Sequence, residues 1–245
     1  MAIAAIVVVL FAVRATRTVP HDAARAAARP VPVPEIATRS LSIVVRGHPL
    51  ESGPPPSEFI GPYMDMLRWE LARYPAGALG TLQLQQIVVC DKLTSGGVSF
   101  DAMADWDAHI LYLTALDLAH EDNHARVVVH HEAFHLLDQA QTGNLADDAA
   151  WTALNEAGFN YGSGGDSMRQ LGAGDVGSSG RAGFVSAYAT TGVDEDKAET
   201  YGHLMIDRTW VLRQAARDPA LARKLGVLKQ RLNGYVRGWG DKLGV

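Results

Sequence analysis

Hydrophobic and polar positions change period several times along the chain. Ala2 to Val13 (AIAAIVVVLFAV) is apolar without a break; Arg14, Arg17 and an Ala/Arg/Pro-rich stretch with no apolar period follow. A membrane-spanning helix needs about 20 apolar residues, so this shorter run better suits the core of a secretory signal or a short anchor. No Lys or Arg precedes it, which keeps a buried strand or an uncleaved anchor as the competing reading. Residues 1–37 are therefore expected to be a signal or anchor segment plus spacer, and 38–245 one folded domain. The expected location is periplasmic or extracellular, with residues 2–13 as a membrane tether if they are retained.

Within the domain the period alternates between two and about 3.6. LSIVVR (41–46) is β-branched, bounded by Gly47 and Pro49, and reads as a strand. After the turn-rich ESGPPP, Ser57 is a candidate N-cap for a helix with Ile60, Met64, Leu67 and Leu71 on one face. LQLQQIVVC (82–90) and HILYLT (109–114) read as further strands, the latter as the wall of a cleft. A helix is expected from about Asn123 to Gln141, and two more over about 193–217 and 218–238, the last with Leu221, Leu225, Leu228 and Leu232 at helical spacing. Trp151, Leu154 and Phe159 fit a short helix beneath them. Gly162 to Gly183 is long and Gly/Ser-rich, a candidate rim or lid. Strands concentrated in the first half and helices in the second predict an α+β domain.

Composition narrows the function classes. With 245 residues, 47% apolar and 20% charged, a single domain with a sizeable core is expected. A net charge of -5 without a basic stripe argues against nucleic acid as a partner. Cys90 is the one cysteine, which excludes an intramolecular disulfide and any cysteine-based metal cluster. Oligomeric state is not legible.

The chemistry sits in VVVHHEAFHLLDQ, where His131-Glu132-Ala133-Phe134-His135 forms an H-E-x-x-H. On a helix, residues four apart share a face, so His131 and His135 can both aim at one metal ion, with Glu132 beside them to act on a water. Zinc is the natural occupant of such a nitrogen/oxygen site. A metzincin continuation would place Gly at 138 and His at 141, where this chain has Asp138 and Gln141. The missing ligand must come from another element. Glu195 and Glu199 lie four apart on an expected helix, so that one can ligate while the other hydrogen-bonds an imidazole. His130 and His203 are read as supporting residues, Asp138 as a cap or a salt link, and Tyr161 and Tyr201 as rival oxyanion donors.

HHEAFH followed by SAYATTGVDEDKAETYGHLM resembles the catalytic domain of anthrax lethal factor and related bacterial zinc-binding metallopeptidases, a branch of the zincins. The correspondence runs through Tyr188, Thr191, Glu195, Ala198 and Glu199, and covers about 109–140 and 184–206. It implies a zincin-like fold in which a small mixed sheet, the H-E-x-x-H helix and a helical C-terminal half build the site. It further implies His131, His135 and Glu195 as zinc ligands, Glu132 as general base, Tyr188 as transition-state hydrogen-bond donor, Glu199 as the carboxylate behind the ligands, and a peptide or protein substrate. Two other functions compete: a non-catalytic zinc-binding interaction module of the cell envelope, and a zinc hydrolase of a non-peptide amide. Glu132 favours an enzyme, because a structural zinc site has no need of a base.

Overall fold

The structure is a computed structural model that describes residues 34–116, 118–162 and 180–244. No helix among the described residues is long and apolar enough to cross a membrane. The apolar run at 2–13 lies outside the described residues, as does most of the glycine-rich 162–183.

Three layers stack on one another. One sheet has the order β1 (Glu35–Thr38), β4 (Gln86–Cys90), β8 (Ile110–Thr114), β7 (Ala102–Asp105), parallel except for the β7/β8 pair. A second, antiparallel sheet has the order β2 (Leu41–Val45), β3 (His48–Ser52), β5 (Leu93–Ser95), β6 (Val98–Phe100). The first sheet is covered on both faces. Ile87, Val89, Leu111 and Leu113 point to the helices, whereas Val88, Cys90 and Tyr112 pack with Leu41, Val45, Leu50 and Leu93 of the second sheet. Burial on both sides is why QIVVC is apolar at every position after its first instead of alternating. The first sheet already includes Glu35 to Thr38, ahead of the boundary expected at residue 38.

Helices form the third layer: α1 (Ser57–Leu71), α2 (Ala78–Thr81), α3 (Leu118–Thr142), α4 (Ala149–Thr152), α5 (Val193–Ile206), α6 (Arg208–Ala215), α7 (Pro219–Tyr235) and α8 (Trp239–Leu243). The α+β class and the helical second half follow the sequence expectation. Leu221, Leu225, Leu228 and Leu232 are all buried on α7, whose N-terminus is capped by Asp218 and carries Pro219 in its first turn.

Several boundaries differ from expectation, each for a local reason. Ser57 is the first residue of α1 and Pro56 takes the cap position. The buried face of that helix turns toward Tyr63, Met66, Leu67 and Glu70, leaving Ile60 and Met64 half-buried. Leu82 ends α2 and Gln83 adopts a φ of 56°, so the strand starts only at Gln86. The helix expected over 193–217 breaks at Asp207, whose side chain accepts from the Trp210 amide and starts α6 afresh. α4 contains Trp151, but Leu154 and Phe159 lie beyond it. HILYLT, expected as a cleft wall, is the interior strand β8; the edges of its sheet among the described residues are β1 and β7, the latter packed against α3.

The β2–β3 connection is a two-residue hairpin loop, Arg46-Gly47, flanked by the pair Val45↔His48. Both loop residues have positive φ, 50° and 84°, as a type I′ turn requires. Gly47 adopts this freely. Arg46 does not: a side chain other than Gly, Asn or Asp in that region costs roughly 1–2 kcal/mol.

Candidate metal centre

The H-E-x-x-H lies in the second half of α3, where Val129, Ala133, Phe134, Leu136 and Leu137 anchor the helix in the main core. His131 and His135 therefore share the remaining face, one turn apart, turned toward α5. The two helices meet closely at Gly202. A Cβ there would stand 3.0 Å from the Val127 carbonyl oxygen and 3.4 Å from the His131 amide nitrogen, so any larger residue would require α3 and α5 to give by a few tenths of an ångström.

α5 has a composition that periodicity cannot decode, because Glu195, Asp196, Lys197 and Glu199 are all buried. They meet partners on three sides of the helix. Asp196 Oδ2 accepts from Trp151 Nε1 (2.8 Å), Tyr161 (2.6 Å) and Lys224 (2.6 Å). Lys197 donates to Asp138 at 2.5 Å. Glu195 and Glu199 face the histidines. Buried charge is costly unless paired, so these partners fix the rotation of α5 and with it the aim of Glu195.

Three ligand atoms converge. His131 Nε2 lies 3.0 Å from Glu195 Oε2, His135 Nε2 lies 3.5 Å from that oxygen, and the two Nε2 atoms are 3.0 Å apart. Ligands at about 2.0–2.1 Å from a tetrahedral zinc stand about 3.3 Å from one another, which these separations bracket. Glu195 Oε2 is buried with no aligned hydrogen-bond donor among the described residues. Two ring nitrogens and a carboxylate oxygen within 3.5 Å of one another, the carboxylate oxygen without an aligned donor, form a group that could hold a cation. The donor set fits zinc with a further coordination position open.

Glu199 stands behind this cluster. His131 Nδ1 donates to Glu199 Oε1 at 2.9 Å, which leaves the Nε2 lone pair facing the site. Ser186 Oγ donates to the other oxygen at 2.5 Å and accepts from the Ala189 amide, and His203 Nε2 lies 3.5 Å away. Burial opposes charge on His131, but the Glu195 and Glu199 carboxylates outweigh it and raise its pKa well above the ordinary histidine value. Against the same burial, the histidines hold both carboxyls well below the usual carboxylate range. The cluster favours a positive charge at its centre.

Tyr188 stacks on the His131 ring, centroids 5.7 Å apart and planes 15° from parallel. Burial first, then the neighbouring Glu195 and Glu132 carboxylates, push its hydroxyl pKa well up, so it stays a donor. The rival tyrosines are committed elsewhere. Tyr161 is bonded to Asp196, and Tyr201 packs in the core against Phe134 and Trp239. Glu132 is half-buried and forms no hydrogen bond or ion pair with a described residue. Asp138 serves as the salt link, and His130 is held away from the site: its Nε2 donates to Glu70 at 2.8 Å and its Nδ1 accepts from Tyr74 at 2.9 Å.

Sequence reasoning missed three contributors. Ser186 had a local signal, a serine three residues before the amide it caps. Glu70 had none, since its partners Arg73, Arg126 and His130 come together only in the fold. The third is Arg46, whose guanidinium lies 3.5 Å over the Trp106 ring, just past the end of β7.

No protein-family model and no curated protein matches the chain. A solved structure from Bacteroides caccae ATCC 43185, described as a “putative zinc-binding metallo-peptidase”, is similar at 20% identity and a TM-score of 0.43, over 74% of this chain and 65% of that one, less than two thirds of its length.

Proposed function

We propose that the chain is a zinc-dependent peptidase, with His131, His135 and Glu195 as the zinc ligands. The observation that supports this best is the convergence of those three ligand atoms beside an unengaged Glu132 and a buried Tyr188 hydroxyl. Zinc held there supplies Lewis acidity, polarising a carbonyl and lowering the pKa of a bound water to about 7. The chain's own groups do the rest. Glu132 takes a proton from the attacking water and passes it to the leaving amine. Tyr188 donates a hydrogen bond to the oxygen that becomes negative in the transition state, and Glu199 keeps His131 in the tautomer that ligates. An extended substrate has a free strand edge to pair with in β7, next to α3.

The test combines zinc stoichiometry with hydrolysis of casein, wild type against Glu132→Gln. One zinc per chain in both proteins and hydrolysis by wild type alone is the expected result. A zinc-loaded wild type that leaves casein and short unstructured peptides uncut would return the protein to the class of non-catalytic zinc-binding modules.

A further inference from the structure

The geometry points to Arg46 as the residue that selects substrates carrying a carboxylate, from an acidic side chain or a free C-terminus. This inference rests on the peptidase reading for the use of the cleft, but its chemistry is that of binding.

Arg46 sits at the tip of the β2–β3 hairpin in the left-handed region, at a turn position that normally takes Asn or Gly. Backbone strain of this kind persists where the surroundings impose it, and it clusters at functional sites. Here the turn sets the guanidinium carbon 3.5 Å from the centre of the Trp106 ring, in the connection from the edge strand β7 to β8. Stacking fixes the plane of the fork and leaves its N–H donors pointing outward in that plane, the arrangement that meets a carboxylate with two parallel hydrogen bonds.

Those donors are unoccupied. Arg46 forms no hydrogen bond and no ion pair with any described residue, although Glu132, Asp105, Asp107 and Asp194 all contribute to the field at its guanidinium. Two of the four are held elsewhere. Asp105 Oδ1 is taken by the Asp107 and Ala108 amides, and Glu132 is fixed on a rigid helix. Burial lowers the Arg46 pKa, and these acids oppose that shift from a distance without filling its fork. Glu132 belongs to α3 and Asp194 to the first turn of α5, so two of the acids that act on the guanidinium sit on the helices that carry His131, His135 and Glu195. An extended peptide lying along β7 would pass the fork as it leaves the site.

The experiment uses one pool of unstructured octapeptides in four versions, with acidic residues present or replaced by their amides, and with the C-terminus free or amidated. Cleavage by wild type, Arg46→Gln and Arg46→Lys is read by mass spectrometry as ratios to the neutral, amidated pool. Capture of the same pools by the Glu132→Gln protein, with and without Arg46→Gln, gives a readout independent of turnover. Wild type is expected to favour one carboxylate-bearing pool at least tenfold, and which pool identifies the source. Arg46→Gln should abolish that ratio and Arg46→Lys restore it in part, at unchanged zinc content. A wild type without such a preference, or a preference that survives Arg46→Gln, overturns the assignment. If nothing is cleaved yet Glu132→Gln still captures an acidic pool through Arg46, the peptidase reading falls and the binding role stands.

Discussion

At the scale of single residues, the proposed function divides the site into groups placed to hold a metal and groups placed to act on substrate, and mutation should separate them. Glu132 touches none of the ligands, so Glu132→Gln should keep zinc and fold while lowering kcat by about 10²–10⁴-fold. Tyr188→Phe removes one donor to the oxyanion and should lower kcat by about 10²–10³-fold with KM nearly unchanged, because that bond strengthens in the transition state. Full activity in Tyr188→Phe would discard its role. The supporting layer gives the opposite pattern. Glu199→Gln weakens the acceptor that fixes the His131 tautomer, and zinc affinity, measured by chelator competition, should fall about 10–100-fold. Ser186→Ala should act in the same direction but less, since it reaches His131 only through Glu199. Equal zinc affinity in wild type and Glu199→Gln would mean that the hydrogen bond to Nδ1 does not orient the ligand. The H-E-x-x-H was legible because helical spacing alone puts two imidazoles on one face. Glu195 and Glu199 were legible as a pair from the same helical spacing, their separate roles and Tyr188 entered through a resemblance of a short stretch, and Ser186 entered not at all, because its partner lies 13 residues away and both are brought together by the fold.

At the scale of elements, the metal cluster depends on how closely α5 lies against α3, and that distance is set at Gly202. Gly202→Ala should gain about 1 kcal/mol in helix propensity while forcing a Cβ to 3.0 Å from a backbone carbonyl that cannot rotate away. The two effects offset in stability, but not in geometry. The variant should melt near the wild-type temperature yet bind zinc at least several-fold more weakly, because α5 carries Glu195 and α3 carries His131 on either side of the contact. Unchanged zinc affinity would show that α5 has slack. Periodicity found α7 and most of α3, where an apolar stripe faces one core. It failed for α5, which meets partners on three sides, and for the cleft wall. HILYLT, read as a cleft wall, is a continuous apolar run buried on both faces in the sheet interior, and β7, with the unremarkable sequence AMAD, takes an edge, since strand order is set by pairings remote in sequence.

At the scale of the whole molecule, two buried ion clusters tie the helical layer together, and they set its response to acid. Glu70 on α1 accepts from Arg73, Arg126 and His130, which joins α1 to the α3 turn preceding the metal ligands. Asp148, just before α4, is held by Arg231 of α7 and lies 3.4 Å from Lys197 of α5. Burial alone would raise the Glu70 pKa, but the hydrogen bond from His130 and the positive charge of the two arginines win and hold it at about 2, against an ordinary value of 4.5. Asp148 is likewise held at about 2, against 3.8, with Arg231 overcoming its burial. A carboxyl whose folded pKa is depressed binds fewer protons folded than unfolded. Its stabilisation is complete above the unfolded value and is lost as pH falls toward the folded one. Metal-free protein should therefore lose stability between about pH 4.5 and pH 2, with Glu70 contributing roughly 3 kcal/mol, measured by urea unfolding at a series of pH values. Glu70→Gln should be less stable at neutral pH, where it leaves Arg73 and Arg126 without their counter-charge, and should show a visibly shallower fall below pH 4.5. If Glu70→Gln and wild type lose stability in parallel through that window, the acid sensitivity comes from elsewhere. The α1–α3 tie would then contribute packing rather than charge to the helix that carries the metal ligands.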